Sequence, residues 1–229
     1  MFLWRTEVRP GVSVAFTDSH AGNLALHVGD NPADVLQRRQ ALEHAAGLVP
    51  GSLRFMEQVH GTAVEMMEPD TPAPTADAMV SQGLPLAVMV ADCIPAVLVG
   101  EAPGGPVLAA VHAGRPGIAN GILLAAVGKM RAAGAANICA WLGPSICGSC
   151  YEVPAELRAE VAAQVPSTWS TTSWGTPALD LPAGARSQLE AAGVSVDYAG
   201  PCTLENEQLF SYRRSGTTGR LAGIVWSHE

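Results

Sequence analysis

The sequence predicts an α+β fold rather than a doubly wound sheet, on three observations. Strand-like and helix-like segments are mixed along the chain without strict strand–helix alternation. Three apolar stretches, 86–92, 96–100 and 106–112, follow one another closely, with Gly104–Gly105–Pro106 supplying a turn before the third. The length of 229 residues suffices for a substantial core, and no shift in composition marks a boundary, so one domain spanning 1–229 is expected.

Taken in order, "GVSVAF" (11–16) alternates as a strand does. Asp30–Asn31–Pro32 offers a cap followed by proline at the first helical position, which predicts a helix over 32–46 ended by Gly47. "SLRFMEQVHGTAVEMME" (52–68) has strand alternation on both sides of His60–Gly61, which places those two at a turn, bulge or strand end. The proline-rich segment 69–77 reads as a surface loop. Residues 117–133 predict a helix with Ile118, Ile122, Ala125, Ala126 and Met130 on one face. "NICAWLG" predicts a strand and "PAELRAEVAAQV" a helix that starts at proline, whereas 167–180 is of low complexity with no assigned structure. A helix over 182–192, a strand near 194–198 and strands around 209–214 and 220–227 complete the chain, which has no internal repeat.

Charge and composition exclude several classes. Thirteen Lys+Arg against twenty-one Asp+Glu give a net charge of −8, which argues against a nucleic-acid-backbone or anionic-membrane partner. A local pocket can still oppose that field for a small anionic substrate. The N-terminus has four residues before its first charge, too few for a signal-peptide core, and the apolar run 84–100 contains an Asp and two prolines, unlike a membrane span. Five irregularly spaced cysteines suit reduced thiols in a cytoplasm better than a disulfide framework.

No Walker loop, no G-x-G-x-x-G after a strand, no G-x-S-x-G and no H-E-x-x-H is present. What stands out are His60 in "EQVHGTAV", Cys93 in "MVADCIPAV" and His112 in "LAAVHAGRPG", each at the end of an apolar strand. Asp92 precedes the cysteine and Pro95 follows it, so the strand pairing is expected to break there. Two histidines and a thiolate form a three-ligand set for a zinc-type ion with a fourth position open. The same residues equally suit a Cys–His dyad with Cys93 as nucleophile, and spacing does not choose between the two. Cys147 and Cys150 form a C-x-x-C that Cys139 and Cys202 could complete as an all-cysteine zinc site, while Gly143, Gly148 and Ser149 read as a tight loop leading into the following helix. Arg213 and Arg214, placed in a strand, would point to opposite faces, one of them into a cleft.

The stretches "NLALHVGD" (23–30), "QVHGTAV" (58–64), "ADAMVS" (76–81), "VADC" (90–93), "VHAG" (111–114), "GPSICGSCYEV" (143–153) and "FSYRRSGTTGR" (210–220) occur in an order that extends over nearly the whole chain. In this the chain resembles the YfiH-like proteins, a family once labelled multicopper polyphenol oxidases (laccases) and also called peptidoglycan editing factors or purine nucleoside phosphorylases. The resemblance implies mixed β-sheets packed between helices, a fold related to putative cysteine hydrolases. It also implies a metal site, zinc or copper, on His60, Cys93 and His112. The implied activity is phosphorolysis of adenosine, inosine, guanosine or methylthioadenosine, with hydrolytic deamination of adenosine. His60, Cys93, His112 and Asp92 are then the expected catalytic residues, with Asp92 either shuttling protons or orienting the strand end. Gln58, Arg115, Arg213 and Arg214 are the expected substrate-binding residues, for a purine nucleoside and phosphate. The alternatives are a cysteine-dependent hydrolase acting on a cell-wall precursor, a copper-dependent polyphenol oxidase, and a binding module whose zinc is purely structural. One departure bears on phosphate binding: the family's "HAGWRG" reads "HAGRPG" here, with Arg115 in place of the Trp and Pro116 in place of the Arg. Arg38 likewise stands where the family commonly has Asn.

Overall fold

The computed structural model describes residues 1–228. Its strands in chain order are β1 (Phe2–Arg9), β2 (Val12–Thr17), β3 (Val64–Met67), β4 (Ala78–Ser81), β5 (Leu86–Val90), β6 (Ile94–Ala102), β7 (Gly105–Ala113), β8 (Ala136–Leu142), β9 (Trp169–Thr171), β10 (Pro177–Leu179), β11 (Ser195–Ala199) and β12 (Leu221–Ser227). The helices are α1 (Pro32–Ala46), α2 (Arg115–Ala119), α3 (Ile122–Ala132), α4 (Ala155–Gln164), α5 (Leu181–Ala191) and α6 (Tyr212–Ser215).

Two sheets stack between helical layers. A mixed six-stranded sheet runs β11-β8-β6-β7-β4-β3, and an antiparallel four-stranded sheet runs β1-β2-β12-β5. The strand period of two explains how one sheet serves two cores. On β6, Ile94, Ala96 and Leu98 join Ile118, Ile122, Leu123, Ala126 and Leu189 of α2, α3 and α5. The alternate residues Val97 and Val99 face Val14, Phe16, Val88 and Val225 of the other sheet. The outer face of the four-stranded sheet is covered by Leu42 and Ala46 of α1, which meet Ala15, Ile224 and Trp226. The expected α+β fold with mixed sheets between helices is therefore what the chain adopts. No helix among the described residues is long and apolar enough to cross a membrane.

Several local expectations need correction, each for a physical reason. The 52–68 alternation yields only β3; upstream of His60 there are isolated bridges, Arg54 to Leu86 and Glu57 to Thr75. The helix expected over 117–133 is interrupted at Gly121, whose φ of 85° is left-handed, and Ala125 is exposed while Leu123 and Val127 are buried. The 209–214 segment is not a strand: Ser211 caps α6 by accepting from the Arg214 amide, and Gly216 follows its end. Pro95 does not end the pairing. It sits second in β6, in register with His112, and its carbonyl accepts from the Gly143 amide. The chain breaks instead at Asp92, whose φ of 83° turns it between β5 and β6. The featureless 167–180 segment holds a small hairpin of β9 and β10.

Candidate active site

The three expected metal ligands converge from three chain segments. Cys93 ends the β5–β6 turn, His112 is near the end of β7, and His60 lies in the loop before β3. One donor atom from each lies within 4.8 Å of the others, and Cys93 Sγ is 3.9 Å from His60 Nε2. The imidazole rings of His60 and His112 meet edge to face with centroids 4.6 Å apart. Gly114 makes this approach possible: a Cβ there would lie 3.0 Å from His60 Cδ2 and 3.3 Å from Cys93 Sγ.

Asp77 organises the cluster, and sequence reasoning did not select it. It is fully buried, and its Oδ1 accepts from the His60 amide at 2.9 Å and bonds His112 Nδ1 at 2.8 Å. Its Oδ2 accepts from the Gly61 amide at 2.6 Å and the Val59 amide at 3.3 Å. One carboxylate thus holds His60 at a left-handed φ of 60° and fixes the ring of His112. Burial opposes ionisation of Asp77, but the bonds from His112, Gly61 and His60 keep its carboxyl below the ordinary range. The only sequence signal was its place in "ADAMVS", directly before β4, where it looks like a residue bounding a strand.

The electrostatics follow from this arrangement. Burial pushes the Cys93 thiol up, but hydrogen bonds and charge from His112 and His60 prevail and bring it down to about 6. Burial would lower His112, yet Asp77 and the Cys93 thiolate raise it to about 9. Because Asp77 occupies Nδ1 of His112, Nε2 of that ring is left for a ligand. The donor set of two imidazoles and a readily ionised thiol, with a carboxylate behind one histidine, fits a zinc-type ion in the three-ligand pattern that leaves a position open.

A cavity of about 550 Å³ opens over the cluster. Arg115, Arg213 and Arg220 line it together with Tyr151 and Tyr212. The expected substrate-binding residues therefore divide. Arg115 and Arg213 reach the cavity; the Arg213 guanidinium lies 5.1 Å over the Tyr151 ring and donates to the Glu152 carbonyl. Arg214 turns away and clamps the carbonyls of Thr203, Leu204, Asn206 and Leu209. Gln58 borders the cavity, but its side-chain amide pairs with both backbone groups of Met89 at 2.7 and 2.9 Å, as a strand neighbour would. Asp92 also borders it, with both carboxylate oxygens engaged: Thr203 Oγ1 donates at 2.6 Å and the Arg213 amide at 2.6 Å. Arg220, at the end of the "FSYRRSGTTGR" stretch, was not singled out, nor was His27, which also lines the cavity. Arg38 is not among the lining residues; it pairs with Asp30 at 2.5 Å and with the Asn23 carbonyl.

The C-x-x-C gathers differently from expectation. Cys147, Cys150 and Cys202 come together with Glu205, not with Cys139. Cys139 sits on β8, where its sulfur is within 3.5 Å of the Arg9 guanidinium.

A sandwich of two sheets between helices, with a His–Cys–His cluster under an arginine-lined cavity, defines an α+β protein with a candidate metal-binding cluster in its main cavity. The family model described as multi-copper polyphenol oxidoreductase laccase matches residues 3–228, and the chain belongs to this family, that of the YfiH-like proteins. It is similar to a Streptomyces griseus protein named purine nucleoside phosphorylase ORF3, 48% identical with 93% of each chain covered. It is also 40% identical to Escherichia coli K12 YfiH, likewise named a purine nucleoside phosphorylase, over 94% of this chain and 89% of that one. Among solved structures, a Neisseria meningitidis protein superposes with a TM-score of 0.84 at 30% identity, covering 100% and 99% of the two chains. YlmD from Geobacillus stearothermophilus gives 0.83 at 28% identity with 100% of both covered.

Proposed function

We propose that this protein is a purine nucleoside phosphorylase whose centre, His60, Cys93 and His112, holds a zinc ion. The observation that carries the proposal is the sharing of one cavity by that donor set and three arginines, in a chain of net charge −8. Arginine guanidinium groups hold phosphate bidentately, so Arg115, Arg213 and Arg220 would seat the attacking phosphate, with Arg115 serving where the family's usual arginine is replaced by Pro116. Phosphate adds to the ribose C1′ as the glycosidic bond breaks, and the purine departs with the bonding electrons and gains a proton. The bound ion would supply Lewis-acid polarisation at that leaving group, or at a water for deamination of adenosine. With both imidazoles engaged by the ion, that proton would come from the entering dihydrogen phosphate or from water in the cavity. Asp92 is best read as a positioning residue, since Thr203 and the α6 backbone occupy its oxygens. The names of the relatives support the phosphorylase reading, and preference among adenosine, inosine, guanosine and methylthioadenosine is part of the same proposal.

A nucleoside panel incubated with and without phosphate tests this. Free base and ribose 1-phosphate are expected only with phosphate, and inosine from adenosine without it. A zinc-replete protein that forms neither contradicts the proposal.

One observation favours a second reading. Cys93, His112 and Asp77 form a nucleophile, base and orienting carboxylate in sequence, as a cysteine hydrolase requires. An activity on a cell-wall precursor that is blocked by iodoacetamide and survives chelation would establish it. The polyphenol oxidase reading has less support: of the two metal-donor clusters among the described residues, only one contains histidine, whereas multicopper oxidation needs several histidine-rich sites.

A further inference from the structure

We propose that Cys147, Cys150, Cys202 and Glu205 form a second metal site, one that takes a thiophilic divalent ion such as zinc. One donor atom from each lies within 4.8 Å of the other three, so four ligands converge without chain movement. The donors are those a closed tetrahedral zinc site uses: a C-x-x-C pair, a third thiolate from a distant segment, and a carboxylate. No ligand is shared with the His60, Cys93 and His112 centre.

The backbone around the thiols is arranged for sulfur. The amides of Cys150 and Tyr151 both turn back to the Cys147 carbonyl, at 3.1 and 2.9 Å, which folds the C-x-x-C into a tight knuckle with both sulfurs on one side. The Cys147 amide donates to Cys202 Sγ at 3.4 Å, and Cys150 Sγ is 3.5 Å from Glu205 Oε1. Amide donation to a ligating sulfur is the outer-shell support that metal thiolates commonly receive. The Cys202 segment is already in register with the knuckle: Ser145 and Cys202 form a bridge, and the Thr203 amide donates to the Ser145 carbonyl at 3.0 Å. Cys150 is buried and Glu205 exposed, so an ion could enter from the Glu205 side.

Its position gives the ion a structural task. Ile146 and Tyr151 flank the C-x-x-C and line the cavity, while Thr203, next to Cys202, holds Asp92 and offers its carbonyl to Arg214. Binding the ion releases the protons of the three thiols and staples the 143–153 loop to the 200–206 loop. That would pin the wall carrying Tyr151 to the segment that seats α6 and Arg213.

The test is metal counting on full-length protein purified under reductant, with zinc and then cobalt(II) as probes. Wild type is expected to hold a second equivalent of zinc, and Cys93→Ser to retain about one zinc per chain with a sulfur-to-cobalt charge-transfer band. That residual ion and band should vanish in Cys93→Ser combined with Cys202→Ser or with Cys150→Ser. Should those variants fail to fold, wild type suffices: zinc should protect Cys147, Cys150 and Cys202 together from iodoacetamide, and chelation should release all three, read by peptide mapping. The proposal is overturned if Cys93→Ser binds no zinc, if its zinc persists without Cys202 and Cys150, or if mapping shows the three thiols unprotected or joined in a disulfide. Loss of phosphorolysis alone would leave this metal count unchanged, so the two proposals fail separately.

Discussion

The His60, Cys93 and His112 centre lines the cavity, the Cys147, Cys150, Cys202 and Glu205 cluster lies behind its lining residues Ile146 and Tyr151, and the two are held in different ways. His112 is fixed by β7, Cys93 stands directly before β6, and a buried Asp77 ties His60 to them through backbone amides. The second set is carried by loops and organised mainly by backbone bonds to carbonyl and sulfur. Their charge environments differ accordingly. Two imidazoles, one of them held by Asp77, make Cys93 an easily ionised thiol, whereas burial and neighbouring thiols push Cys147 and Cys150 up. A rigid, ionised centre with a free face suits chemistry, and a cluster of mutually repelling thiolates suits a permanently bound ion.

The largest expected effect comes from removing the support of the first centre. Asp77→Ala leaves His112 and three amides without their partner, and should cost about 3–5 kcal/mol of stability along with the metal at that centre. Asp77→Asn keeps the shape and should weaken metal binding by about 10–100-fold. Urea unfolding and zinc titration read the two effects. Equal stability of wild type and Asp77→Ala would show that the carboxylate does not organise the loop.

Thiol reactivity sharpens the comparison next. In metal-free protein at pH 7, Cys93 lies above its value of about 6 and is mostly thiolate. Its iodoacetamide labelling should therefore outpace that of an ordinary thiol by roughly tenfold or more, and that of Cys147 and Cys150 by more still. The sign is fixed by the downward shift: labelling of Cys93 should decline as pH falls through about 6, and labelling of the other two should grow only on the alkaline side. Peptide mapping across pH would show all three alike if the histidines did not act on Cys93.

The adjacent arginines should also separate. Arg214→Ala removes a charged donor from four carbonyls and should cost about 2 kcal/mol, seen as a lower denaturant midpoint. Arg213→Ala should leave stability nearly unchanged and raise the KM for phosphate by about tenfold, a loss of roughly 1.4 kcal/mol. The smallest contrast is between two glycines. Gly114→Ala places a methyl against His60 and Cys93 and should weaken only the first metal. Gly148→Ala, whose Cβ would lie 2.6 Å from Asp180 Cβ, should cost about 1 kcal/mol and loosen only the second. Each metal measured in each variant decides it.

The sequence made the three donors legible because each stands where an apolar strand ends, and the ordered family motifs brought them together. It did not reveal Asp77, whose partners are 16 to 35 residues away and leave no local periodicity. It misplaced Arg213 and Arg214 because "FSYRRSG" alternates like a strand, while Ser211 and Gly216 act as helix caps. Cys93 was read as freed by Pro95, but a proline near the start of a strand can still offer its carbonyl. The left-handed turn at Asp92 precedes the half-buried thiol, which lines the cavity. Glu205 in place of Cys139 was hidden for a similar reason, since residue type alone favoured a fourth cysteine.

The central claim is that the centre held by Asp77 performs phosphorolysis, and the rate of free-base release from inosine with saturating phosphate tests it most directly. Zinc-replete wild type should turn over, while folded Cys93→Ser should lose at least about 100-fold, with no release in either when phosphate is omitted. A Cys93→Ser protein that cleaves inosine at the wild-type rate would contradict the account.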